Sequence, residues 1–115
     1  RKVKNEYIII EEKGDRMPIG YHSVMTDFTE HEFRLKKGDT IYLFSDGFID
    51  QFGGEIGKKF MVPRFKQMLL DNQQYEMAFQ KEVYINVLEE WINFPSVHSK
   101  HCGQIDDILL IGLRI

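Results

Sequence analysis

The sequence has few of the features that mark secreted or membrane proteins. Its 115 residues include one cysteine, Cys102, so an internal disulfide is impossible and a reducing, cytoplasmic setting is expected. No apolar run approaches the roughly 20 residues that a membrane-spanning helix needs, and no signal-peptide pattern is present. We therefore expect no membrane contact by this segment.

The sequence also lacks long basic clusters. Its densest basic clusters are short, at Arg1–Lys4, Lys36-Lys37 and Lys58-Lys59, and the formal net charge of the chain is −3. Recognition of nucleic acid needs a more extensive basic footprint, so no nucleic-acid partner is expected. The hydrophobic content of 43% is sufficient for the core of one small domain. The abrupt start on charged residues suggests a piece of something larger.

Hydrophobic patterns predict a mixture of strands and helices. Strands are expected at Glu6–Glu12, Phe28–Leu35, Thr40–Ser45 and Ile108–Ile115, the last buried on both faces. The turn Lys36–Asp39 is expected to join the second and third strands as a hairpin. A flexible loop is predicted at Gly53–Gly57, followed by helices at Val62–Asp71 and about Gln74–Asn93. This order favours an α+β or layered fold over a parallel βαβ series.

Acidic residues stand at the ends of two predicted strands. Asp46 directly follows the third strand, Gly47 allows a tight backbone turn, and Asp50 comes four residues after Asp46. Asp106 and Asp107 stand just before the last strand. Two such strand ends can bring several carboxylate oxygens together, and Mg²⁺ and Mn²⁺ prefer oxygen ligands. The pattern therefore predicts a divalent-metal site.

Several short motifs, taken in order, resemble a known family. They are Pro18-Ile19-Gly20, the turn Leu35–Asp39, Ser45-Asp46-Gly47-Phe48-Ile49-Asp50, the glycine loop, and Asp106-Asp107-Ile108-Leu109-Leu110. Together they are similar to the C-terminal half of metal-dependent (type 2C, PPM) protein serine/threonine phosphatases, in the bacterial branch named for SpoIIE. The family's upstream Asp-x-x-Gly-His-Gly motif is absent, so residues 1–115 resemble only the C-terminal portion of the domain.

The resemblance implies a fold and a set of site residues. The fold is a four-layer αββα sandwich, to which this chain would contribute antiparallel strands and two helices. The implied reaction is phosphoprotein hydrolysis by a water that two Mn²⁺ or Mg²⁺ ions activate. Motif matching assigns Asp46 and Asp106 as the catalytic metal ligands, with Gly47 in the same metal segment. Asp50 matches a peripheral metal position, and Asp107 a carboxylate that orients ligands and bound water from the second shell.

The resemblance also implies partners. In this branch the phosphatase domain commonly follows a sensor domain in the parent chain, and its phosphoprotein substrate is often an anti-sigma-factor antagonist. A role in bacterial signal transduction is therefore expected, in the cytoplasm or at the cytoplasmic end of a membrane-anchored sensor. A homodimer is one way to bury surface that the missing half would otherwise cover. The isolated chain is expected to be inactive because it lacks the upstream aspartate.

Other interpretations of these residues stay open. The same absence fits a non-catalytic phosphatase-like interaction module, although the two retained acidic motifs favour a truncated catalytic domain. An unrelated α+β binding domain would show no affinity for divalent metals. The pattern formed by His98, His101 and Cys102 suggests zinc only if a fourth ligand, such as His22, comes from elsewhere. A polar loop with scattered histidines is the better interpretation of that segment.

Overall fold

The chain folds around antiparallel strand pairs and helices in a computed structural model that describes residues 1–17, 19–21, 23–95 and 103–115. The strands are β1 (Lys2–Val3), β2 (Glu6–Tyr7), β3 (Thr40–Phe44), β4 (Phe52–Gly53), β5 (Lys58–Lys59) and β6 (Leu110–Arg114). The helices are α1 (Gly47–Asp50), α2 (Val62–Asp71) and α3 (Met77–Ile92). This arrangement confirms the predicted α+β class and adds a short helix, α1, to the two that were predicted.

Strands β3 and β6 form the central antiparallel pair. Thr40 lies opposite Arg114, and Phe44 lies opposite Leu110. The β-branched and aromatic residues of β3 suit a pleated surface of this kind. The predicted hairpin between residues 28–35 and β3 is wrong, since β3 pairs with β6 in the described part of the chain and residues 28–35 form no strand there. A strand needs a neighbour for its backbone hydrogen bonds, and alternation alone does not supply one.

The first predicted strand is shorter than its apolar pattern indicated. Only Glu6–Tyr7 of the predicted Glu6–Glu12 is a strand, and it pairs with β1. The three isoleucines of the predicted strand, Ile8 to Ile10, lie beyond the paired residues and are exposed. The apolar run is therefore longer than the segment that pairs with another strand in the described residues.

Helices α2 and α3 cover one face of the β3–β6 pair. The bounds of α2 agree with the prediction, and Pro63 lies in its first turn, where proline costs no helical hydrogen bond. Helix α3 lies within its predicted range. Both helices contribute to the core, which consists of Phe48, Phe60, Phe65, Met68, Leu69 and Tyr84. None of the helices in the described ranges is long and apolar enough to cross a bilayer.

The opposite face of the β3–β6 pair is uncovered in the described residues. Side chains alternate between the two faces of a strand, and Tyr42 and Leu110 point to the helices and pack against the core. On the other face, Leu43, Ile111 and Leu113 are 61%, 49% and 56% exposed, and we call these three residues the open face. The prediction that the last strand is buried on both faces is therefore wrong, because the described residues cover only one of its faces.

A buried polar network joins the sheet to the helices. The Tyr42 hydroxyl donates to Gln80 Oε1 at 2.5 Å and accepts a hydrogen bond from Gln73 Nε2 at 2.6 Å. The Tyr84 hydroxyl also donates to Gln80 Oε1, at 2.9 Å. Burial raises the pKa of Tyr84, so its hydroxyl remains a donor. The network fixes how α3 sits on the sheet.

The predicted flexible loop is the tip of a hairpin formed by β4 and β5. Gly54 has a φ of +70°, and a Cβ at this position would overlap the ring of Trp91 on α3. Its backbone N–H donates to Trp91 O at 2.8 Å. Close packing against α3, in addition to backbone freedom, thus explains a glycine at this position.

Candidate metal centre

The antiparallel pairing of β3 and β6 brings the two acidic motifs to the same end of the sheet. Asp46 comes two residues after the end of β3, and Asp106 and Asp107 come shortly before the start of β6. Beyond the last strand pair, Ser45 N donates to Leu109 O at 3.0 Å, so the two backbones continue side by side. Segments sixty positions apart in sequence therefore lie side by side at this end of the sheet.

The side chain of Ser45 connects the two motifs directly. Its Oγ donates to Asp107 O at 2.9 Å and accepts a hydrogen bond from Leu109 N at 3.0 Å. The sequence places Ser45 directly before Asp46 but does not identify this connection. The available signal was a serine at a strand end, since such hydroxyls readily bond to nearby backbone groups.

Gly47 allows the second motif to approach closely. It is buried, and a Cβ there would overlap the backbone carbonyl of Asp107 and lie 3.1 Å from the Ile108 side chain. The tight turn predicted at Gly47 is instead the start of α1, in which Asp50 N donates to Asp46 O at 2.8 Å. A residue without a side chain is therefore required for contact between the motifs.

The predicted site carboxylates differ in their surroundings. Asp46, Asp106 and Asp107 are exposed, and Asp106 Oδ1 accepts a hydrogen bond from Asp107 N at 2.8 Å. Asp106 and Asp107 border a shallow pocket of about 230 Å³. Asp50 is half-buried and forms an ion pair with Lys59 Nζ at 3.1 Å. The structure thus brings the residues on either side of Asp46 into contact with the backbone of Asp107 and pairs Asp50 with Lys59 of β5.

The described carboxylates are of the type that binds a divalent cation, but they are too few to form a complete site. Carboxylate oxygens are the ligands that Mg²⁺ and Mn²⁺ prefer, and no described lysine or arginine forms an ion pair with Asp46 or Asp106. Within the described ranges, no group of three or more acidic, histidine or cysteine side chains is arranged to hold a metal ion. Further oxygen ligands would therefore have to come from outside these residues.

Some residues of the sequence predictions lie outside the described residues. They are the candidates for a zinc site, His22, His98, His101 and Cys102, and Pro18 of the first family motif.

A buried glutamine next to α1 escaped sequence reasoning. Gln51 directly follows α1, and its side-chain amide bonds to the segment that leads into Asp106. The available signal was its position between Asp50 and the predicted loop at Gly53–Gly57. A single sequence does not show that its amide is buried.

Comparison with known proteins agrees with this geometry. The family model described as Stage II sporulation protein E (SpoIIE) matches residues 3–115. A solved structure, the SiaA-PP2C domain of Pseudomonas aeruginosa, is similar to 78% of this chain, with 34% sequence identity and a TM-score of 0.67. The chain covers 34% of that structure. Among curated proteins none matches. The chain belongs to the SpoIIE family of PP2C-type phosphatases.

Proposed function

We propose that this chain forms part of the catalytic centre of a metal-dependent protein serine/threonine phosphatase in bacterial signal transduction. The observation that carries the proposal is the contact of Ser45 and Gly47, on either side of Asp46, with the backbone of Asp107, directly after Asp106. Family membership supports a phosphatase-type function in general. PP2C phosphatases generally depend on metal ions, and carboxylates without cationic partners are suited to bind them.

Each aspartate of the chain would have a separate role at such a centre. Asp46 and Asp106 would hold the metal ions, which when bound would bind phosphate oxygens and lower the pKa of an attacking water. Asp107 would orient ligands and bound water, while its backbone carbonyl accepts the hydrogen bond from Ser45. Asp50, held by Lys59, would take a peripheral position.

The hydrogen bonds of Ser45 favour water as the nucleophile. A serine nucleophile needs an adjacent general base within hydrogen-bond reach. The Ser45 hydroxyl instead bonds to two backbone groups, Asp107 O and Leu109 N. This arrangement assigns the serine to positioning the acidic motifs, so the phosphate would be transferred directly to water.

The proposed substrate is a phosphoprotein, and a phosphorylated anti-sigma-factor antagonist is the first candidate to test. This choice comes from the family resemblance, which also suggests an upstream sensor domain in the parent protein. The chain spans about a third of the SiaA-PP2C structure, so the activity belongs to the longer protein that contains it.

The test is Mn²⁺-dependent hydrolysis of a phosphoserine peptide by this chain extended upstream by about one hundred residues, a length that typical domain size suggests. Asp46→Asn and Asp106→Asn should each lower the activity by about 100-fold or more, since even indirect metal contacts are worth 10- to 100-fold. Asp71→Asn, at an exposed position of α2, should leave it unchanged. A folded protein that binds Mn²⁺ without hydrolysing the peptide would support the non-catalytic module instead.

A further inference from the structure

The side-chain amide of Gln51 holds the segment immediately before Asp106. Gln51 is 1% exposed. Its Nε2 donates to Gly103 O at 3.0 Å, and its Oε1 accepts a hydrogen bond from Ile105 N at 3.3 Å. The backbone of residues 103–105 is therefore fixed to a buried side chain, although these three residues are themselves exposed.

Gln51 is firmly held by its own neighbours. Its backbone carbonyl accepts hydrogen bonds from Trp91 Nε1 and from Phe60 N, both at 3.0 Å. Its Nε2 also donates to Phe52 O at 3.0 Å. Trp91 lies on α3 and Phe60 directly follows β5, so two separate elements hold Gln51 in place.

Asp106 is consequently restrained from both sides along the chain. On the upstream side, Ile105 is bonded to Gln51. On the downstream side, Asp107 is bonded to Ser45 and packs on Gly47. The exposed Asp106 carboxylate thus stands between two anchored backbone segments.

We propose that Gln51 is a positioning residue of the metal centre, whose amide holds residues 103–105 and so fixes the segment that carries Asp106 relative to the segment that carries Asp46. The inference rests on the proposed function and adds to it a residue that does not itself contact the metal. Residues that orient metal ligands commonly change metal affinity when they are substituted.

A purely structural role is the competing explanation, and the chain provides a matched control for it. Gln80 is also fully buried, at 0% exposure, and bonds to Tyr42, Tyr84 and the backbone of Tyr75. All of these partners belong to the sheet–helix network or to the approach to α3. A Gln80→Met variant therefore removes a buried amide of the same kind without touching residues 103–105.

The experiment measures Mn²⁺ affinity by calorimetry, without substrate, on the longer protein that contains this chain. Gln51→Met should bind Mn²⁺ about 10- to 100-fold more weakly, and its peptide hydrolysis should recover at saturating Mn²⁺. Gln80→Met should unfold at a lower urea concentration but keep the wild-type Mn²⁺ affinity. Wild-type affinity in Gln51→Met, or equal weakening in both variants, would overturn the positioning role alone. A wild-type protein that binds no Mn²⁺ would overturn the proposed function as well.

A second measurement needs no variant and so does not depend on whether Gln51→Met folds. In the metal-free wild-type protein, the amide of Ile105 should exchange with solvent more slowly than that of Gln104, because its N–H is bonded to Gln51. Equal exchange at the two positions would show that the bond to Gln51 does not form and would overturn the proposal.

Discussion

The backbone of Gly47 determines how closely the two acidic motifs approach each other. A Gly47→Ala substitution would place a Cβ on the carbonyl of Asp107, and overpacking of this kind costs about 1–3 kcal/mol. We expect a lower free energy of unfolding in urea and weaker Mn²⁺ binding in the longer protein. Gly14→Ala is the control, because a Cβ there meets nothing within 4 Å. Unchanged stability and Mn²⁺ affinity in Gly47→Ala would contradict the close approach.

Asp39 is a buried carboxylate whose charge the fold stabilises. Arg1 Nε donates to Asp39 Oδ1 at 3.0 Å, Arg1 Nη2 to Oδ2 at 2.6 Å, and Lys36 N to Oδ2 at 2.8 Å. The hydrogen bond from the Arg1 guanidinium, followed by that from Lys36 N, lowers the pKa of Asp39 from 3.8 to about 2. The turn role was predicted from the sequence, whereas the partner 38 positions away was not.

The lowered pKa predicts a pH dependence of stability. The unfolded carboxyl takes up a proton near pH 4, whereas the folded one stays charged until about pH 2. The stabilisation is therefore complete above about pH 4 and is lost as the pH falls towards 2. Urea midpoints of the wild type and Asp39→Asn, compared from pH 6 to pH 2, should converge at the acidic end. Asp27→Asn, at an exposed position, should show no such trend. A constant difference across the range would refute the ion-pair account.

Local patterns predicted some elements of the fold well. Helix α2 depends on apolar spacing within its own ten residues and on Pro63, so its bounds could be predicted from the sequence. Strand β3 is similarly defined by its own β-branched and aromatic residues. Residues 28–35 alternate just as clearly, yet form no strand, because pairing depends on a neighbour that the pattern does not specify.

The contact between α3 and β3 depends on the Tyr42 hydroxyl. A Tyr42→Phe substitution would remove the acceptor of Gln73 Nε2 and one donor to Gln80 Oε1. A buried polar group left without a partner costs about 1–3 kcal/mol. Gln73 Nε2 and Gln80 Oε1 each keep one other partner, so urea denaturation should show a loss of about 1 kcal/mol. Tyr75→Phe, at an exposed position, should change stability by less than about 0.5 kcal/mol. A Tyr42→Phe variant as stable as the wild type would contradict the role of the network.

At the scale of the whole molecule, the open face indicates that the sheet needs a second covering layer. Leu43, Ile111 and Leu113 are exposed apolar side chains on one face of a sheet, and exposed apolar patches often mark surfaces that another layer or partner covers. The chain covers about a third of the similar PP2C structure, so we expect the remainder of the longer protein to cover this face. The sequence pattern predicted burial on both faces, and the described residues supply only one covering layer.

A substitution on the open face should therefore have different effects in the chain alone and in the longer protein. In the chain alone, Leu43→Lys should reduce self-association and binding of an apolar dye. In the longer protein it should lower the free energy of unfolding, because a charge would be buried. Ile56→Lys is matched, since both side chains are 61% exposed, but Ile56 lies on the β4–β5 turn and should have little effect in either protein. Equal effects of the two substitutions would contradict a covered face.

The meeting of the acidic motifs could be anticipated from the sequence, but the means of holding them together could not. Carboxylates at two strand ends are visible as motifs, and they predict that Asp46 and Asp106 share one site. Ser45 and Gln51 act through partners more than 50 positions away, and no local pattern identifies such partners. The long-range hydrogen bonds of Ser45 and Gln51 could therefore be identified only from the structure.

The most direct test of the account is paramagnetic broadening of backbone NMR signals by Mn²⁺ in the longer protein. The account predicts that Asp46, Gly47, Asp106 and Asp107 broaden together at the lowest Mn²⁺ concentrations, before Asp39, which is occupied by Arg1. Asp46→Asn should abolish the broadening at Asp106 as well as at its own position. Broadening of only one acidic motif, or no preference for either, would contradict a shared metal centre.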